Sequence, residues 1–81
     1  MQLDIAKIKA LRKKNKLTQQ EMADILGLKN QYPYFRKEKG EQKFTAEEIY
    51  KIAIYFNKDL DYFFKQEVAE NATNQKEQEV S

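Results

Sequence analysis

Six cationic side chains, Lys7, Lys9, Arg12, Lys13, Lys14 and Lys16, fall within residues 7–16 without a single acidic residue among them. Such a run suits contact with the phosphates of a nucleic-acid backbone, while each lysine taken alone reads equally as part of a solvated helix face. Catalytic chemistry has less to work with. The chain has no cysteine and no histidine, so a disulfide framework, a thiolate or imidazole metal site and a nucleophile with a histidine base are all excluded. Glu47 and Glu48 are adjacent carboxylates, but they stand at a helix start where capping and the helix dipole already explain them. The expectation is a non-enzyme with no catalytic residue, no metal, no cofactor and no small-molecule substrate.

The net charge of +2 is unevenly distributed. Glu67, Glu70, Glu77 and Glu79 against Lys76 give residues 66–81 a charge of −3 and leave +5 on residues 1–65. The expected organisation is one small basic domain over residues 1–65, followed by an acidic, polar and disordered tail over residues 66–81. Val68 and Ala69 leave open a short continuation of the last helix, and the acidic tail is a candidate contact for a protein partner. No apolar run approaches the ~20 residues needed to span a bilayer, and Met1-Gln2-Leu3-Asp4 leads straight into an amphipathic pattern. A cytoplasmic protein without membrane contact is expected.

The elements that must position the basic groups are helical throughout. The spacing predicts a first helix over residues 4–15 with Ile5, Ile8 and Leu11 inward. A second runs over residues 18–26, opened by a capping box between Thr18 and Glu21, with Met22, Ala23 and Leu26 on one face and Gly27 as a left-handed cap. The third lies within residues 30–39, closed by Gly40. The fourth starts at a second capping box, Thr45-Ala46-Glu47-Glu48, and places Ile49, Ile52, Ala53 and Phe56 inward before Asn57 stops it. Asp59 is expected to cap a short fifth helix whose Leu60, Phe63 and Phe64 close the core.

Ile8-Lys9-Ala10-Leu11-Arg12, followed by Leu17-Thr18-Gln19 and by Met22-Ala23 with Leu26-Gly27, resembles the Cro/phage-repressor type of helix-turn-helix DNA-binding domain. The resemblance extends over about residues 5–64, and the segments 40–49 and 57–64 are similar to small regulators of phages and mobile elements. It implies an all-α, compact five-helix, lambda-repressor-like fold with the helix-turn-helix at helices 2 and 3. It also implies a sequence-specific regulator of transcription on double-stranded DNA, a repressor acting as a homodimer on a palindromic operator. The alternative is an antitoxin-like or adaptor chain whose main partner is a protein, bound by the acidic tail or by the Tyr32-Pro33-Tyr34-Phe35 cluster as an exposed aromatic patch.

In a helix-turn-helix the second helix of the pair enters the major groove while the first crosses the backbone. By resemblance, Gln19 at the start of helix 2 becomes a phosphate anchor, with a helix-capping role as the alternative, and Lys39 and Lys43 around Gly40 become further phosphate contacts. Lys29, Asn30, Gln31, Tyr34, Phe35 and Arg36 are the candidate base contacts. Arg36 suits guanine, Asn30 or Gln31 adenine, and an aromatic edge a thymine methyl. Tyr34 also falls where the family places an inward apolar residue, and Glu38 where it places a structural glutamate. From Gly27 to Gly40 the chain has one residue more than most relatives, with Pro33 inside the segment, so residues 29–32 are expected to form a long turn and the helix to begin at Tyr32 or Pro33. Tyr55, Tyr62 and Phe63 are candidates for a dimer surface, or alternatively for the monomer core.

Overall fold

The computed structural model describes residues 2–65. The expectations for the tail, including a helical continuation through Val68 and Ala69, lie outside the described residues. Among the described residues there are four α-helices: α1 (Ile5–Lys14), α2 (Gln19–Leu26), α3 (Gln31–Glu38) and α4 (Ala46–Phe56). The expected fifth helix is instead a single 3-10 turn, Leu60–Phe63, and Asp59 makes no side-chain cap to it. Its shortness follows from what comes next. Phe64 forms an antiparallel bridge with Leu3, the Asp4 N–H donates to the Phe63 carbonyl at 2.7 Å, and the Lys65 N–H donates to the Gln2 carbonyl at 2.7 Å. The chain must leave the helical path at once to make these bonds. Phe63 is thereby buried in the core, whereas Leu60, expected inside, is exposed.

Helix starts follow side-chain capping. Asp4 accepts from the Lys7 N–H, and Thr18 with Glu21 and Thr45 with Glu48 form both reciprocal capping boxes. α3 starts earlier than expected: Asn30 is its cap, its Oδ1 accepting from the Tyr32 N–H at 2.9 Å. Pro33 is therefore the third helical residue. A proline is tolerated there because the first turn has no carbonyl partner for its missing N–H.

Every α-helix closes in the same way. The residue after the helix or one further on adopts a left-handed conformation at Lys16, Gly27, Gly40 and Asn57. Paired hydrogen bonds then return to the last turn, as in Leu28 N–H to the Ala23 carbonyl at 2.9 Å and Glu41 N–H to the Arg36 carbonyl at 2.9 Å. Glycine reaches this region without steric penalty and asparagine does so readily, but a lysine at φ 58° is strained. Lys16→Gly is expected to stabilise the domain by about 0.5–1 kcal/mol, the relieved strain less the added chain entropy. An unchanged or lower urea midpoint would contradict it.

The core is a single cluster of Ile8, Leu11, Met22, Ala23, Leu26, Tyr34, Phe44, Ile52, Ala53 and Phe63, with Ile5, Ile49 and Phe56 half-buried at its edge. The inward positions expected on α1, α2 and α4 are all at or against this cluster. Tyr34 meets Phe44 edge to face, with centroids 6.1 Å apart. Burial of Tyr34 sets the rotational phase of α3, and with it the face that α3 presents outward.

Candidate nucleic-acid interface

With Tyr34 and Lys37 buried, Tyr32, Arg36 and Lys39 form the outward row of α3 at positions i, i+4 and i+7, flanked by Phe35 and Gln31. Tyr34 is corrected here as a candidate base contact. It is 0% exposed, and its hydroxyl donates to Glu38 at 2.7 Å. Tyr32, absent from the candidate set, is instead 61% exposed. The alternation that could have revealed it is elementary: two residues along a helix point to nearly opposite sides, so an inward Tyr34 requires an outward Tyr32. Lys29, Asn30 and Gln31 are exposed at the entry to α3. The Asn30 side chain is committed through its oxygen to the helix cap, which leaves its amide N–H groups to face outward chemistry.

Arg36 and Lys39 share one acidic neighbour, Glu41, at 3.6 Å and 3.3 Å. Both pairs are half exposed and therefore weak. Either cation can leave Glu41 for a stronger acceptor at little cost. Lys39 also lies over the Phe35 ring, 5.1 Å from its centroid.

Beneath this face, Glu38 gathers three elements. Arg12 of α1 donates to Oε2 at 2.8 Å and to Oε1 at 3.1 Å, Gln19 of α2 donates to Oε1 at 3.1 Å, and Tyr34 completes the set from α3 itself. The Glu38 side chain is 4% exposed. Burial pushes its pKa up, but the hydrogen bonds from Arg12, Tyr34 and Gln19 outweigh burial and hold the carboxyl below its ordinary range. The same contacts raise Arg12, chiefly through its hydrogen bond to Glu38, and burial together with that carboxylate raises the Tyr34 phenol. Arg12 also donates to the Leu17 carbonyl at 2.9 Å, which ties the α1–α2 turn into the cluster. The Gln19 amide thus has one N–H directed to Glu38 and a second available beside the free N–H groups at the start of α2.

A second buried pair was not expected. Lys37 is 4% exposed at its side chain and donates to Glu48 Oε1 at 2.9 Å. Its ammonium also donates to the Lys43 carbonyl at 3.0 Å, while Glu48 keeps its capping bond from the Thr45 N–H. The backbone of the α3–α4 loop at Lys43 is therefore fixed to α3 from inside, with Lys43 itself exposed.

Two members of the basic run belong to the fold rather than to an open surface. Arg12 serves Glu38, and Lys7 donates to the Tyr62 carbonyl at 3.1 Å and lies over the Tyr62 ring. Lys9, Lys13, Lys14 and Lys16 are exposed. Among the described residues no group of three or more His, Cys, Asp or Glu is placed to hold a metal ion, and no helix is long and apolar enough to cross a membrane.

A family model described as helix-turn-helix matches residues 8–63, from the middle of α1 to the end of the closing 3-10 helix. No curated protein and no solved structure matches the chain.

Proposed function

The chain belongs to the helix-turn-helix family of the Cro/C1 type and is a DNA-binding transcription regulator; on that premise we propose that it is a cytoplasmic, sequence-specific repressor that occludes a palindromic operator as a homodimer. The observation that carries this reading is the outward row of α3, whose Arg36 and Lys39 are held only by weak pairs to Glu41 above a rigid buried cluster. A rigid helix with readily released cations is what entry into a major groove requires. Arg36 reads guanine, Lys29, Asn30 and Gln31 contact bases at the entry to the helix, and Phe35 supplies apolar contact. Gln19, Lys39 and Lys43 hold phosphates, Gln19 with the second N–H of the amide that Glu38 orients.

One short domain offers few contacts, so two copies on half-sites about 34 Å apart supply the affinity. Phe63 is buried in the monomer core, so the contact between copies falls to the exposed Tyr55 and the half-buried Tyr62.

The test is titration of the DNA upstream of the gene against a scrambled duplex of equal length, at several salt concentrations. A steep salt dependence with clear preference for the native duplex supports the reading. Equal, weak binding to both overturns it and favours a chain whose main partner is a protein. Single variants divide the roles. Arg36→Ala is expected to lose about 1–3 kcal/mol and to relax preference at one base position, whereas Lys43→Ala and Gln19→Ala weaken binding to all sequences alike. Indistinguishable profiles for Arg36→Ala and Lys43→Ala would refute that division.

A further inference from the structure

The outward face of α3 carries an apolar surface that its cations do not explain. Tyr32 and Phe35 lie with ring centroids 6.3 Å apart and planes inclined by 28°, forming a shelf on the face that otherwise presents Gln31, Arg36 and Lys39. They are 61% and 37% exposed, so the folded monomer leaves much of their carbon surface in water. No core requirement accounts for the placement: Tyr34 and Phe44 already fill the space beneath.

We infer that the Tyr32–Phe35 shelf is a thymine-reading element, recognising the C5-methyl group of thymine in the major groove. The inference rests on the DNA-binding reading above and adds a specificity-determining residue, Tyr32, together with the base it selects. The major-groove edges of the base pairs present donors, acceptors and the small C5–H of cytosine, and the thymine methyl is the one protruding apolar group. Aromatic carbon pressed against donors and acceptors strips them of water and offers no hydrogen bond in return. Pressed against a methyl group, the same carbon buries apolar surface on both sides. Arg36 in the same row and Lys39 over the Phe35 ring place cations at the edges of the shelf, where guanine and phosphate oxygens flank a thymine step.

Uracil differs from thymine by that methyl group alone, which makes the test direct. A duplex is enriched from a random library by the full chain, then resynthesised with uracil in place of every thymine. The uracil duplex is expected to bind about fourfold more weakly for each methyl in contact, the transfer value of one methyl group. Single thymine-to-uracil replacements should confine the loss to one or two positions in each half-site. In Tyr32→Ala/Phe35→Ala the thymine and uracil duplexes should bind alike, while Tyr32→Phe keeps the discrimination because the ring, not the hydroxyl, makes the contact. Both positions are exposed, and an unchanged thermal midpoint of the double variant confirms that the fold is intact.

An enriched duplex without thymine, or equal binding of the thymine and uracil forms by the unaltered chain, overturns the inference and leaves DNA binding standing. So does a double variant that discriminates as before, or one that binds the thymine duplex undiminished, which assigns the shelf to a protein contact. A library from which nothing is enriched overturns the DNA-binding reading itself, and this inference with it.

Discussion

Glu38→Ala is expected to destabilise the domain by about 3–5 kcal/mol, the usual consequence of removing one partner from a buried ion pair. For a domain of this size that is a large part of the total stability. The substitution leaves the Arg12 guanidinium and the Tyr34 hydroxyl without their shared acceptor, and it separates α1, α2 and α3 at the point where all three meet. Urea unfolding at neutral pH measures the effect, and a loss below about 1 kcal/mol would show that solvent replaces the carboxylate. The same group confers a pH dependence. Because the folded pKa of Glu38 lies below its ordinary value, its contribution is fully present above the unfolded value of about 4.3 and is lost as pH falls through the lowered folded value. The unaltered domain should therefore lose stability more steeply under acid than Glu38→Gln, which has no proton to gain at this position. Parallel acid profiles would place the titrating group elsewhere.

Lys37→Ala should have an effect of similar size, again about 3–5 kcal/mol, because it leaves the Glu48 carboxylate buried without its cation. The capping bond from Thr45 survives and does not replace the lost charge. Lys37→Met combined with Glu48→Gln is expected to recover most of the loss: the long apolar chain fills the space, and the glutamine amide retains the capping box. Recovery of stability need not restore binding. The ammonium also holds the Lys43 carbonyl, so the double variant should fold well and still bind DNA more weakly, through a loop no longer fixed to α3. Full recovery of both stability and DNA affinity would show that the Lys37–Lys43 bond does not position the loop.

The closing motifs divide what was legible from what was not. Gly27, Gly40 and Asn57 announce left-handed helix ends by residue type, and the two Thr–Glu capping boxes announce helix starts, because both devices act within a few residues of chain. Lys16 occupies the same conformation with no such residue type, held there by the short passage from α1 into α2.

The candidate interface divides along similar lines. Its donors, Arg36, Lys39, Lys43 and Gln19, are visible as side-chain types in a helix-turn-helix pattern. Which aromatic faces outward is legible only through the resemblance, which puts Tyr34 inward: Tyr32 and Tyr34 are chemically identical, and the contact of α3 with Phe44 and Glu38 is what turns one in and the other out. Glu38 finds Arg12 across 26 residues and Gln19 across 19, and Lys37 finds Glu48 across 11. A charge is buried only where a distant partner offsets its desolvation, so its fate is set by the assembled helices and not by its neighbours in the chain. Local chemistry, by itself, determined where α1, α2 and α4 begin, where most of the helices end and which apolar positions of those three face the core. Tertiary packing decided the phase of α3, the two buried ion pairs and the closing 3-10 turn, because each depends on contacts between residues that only the fold brings together.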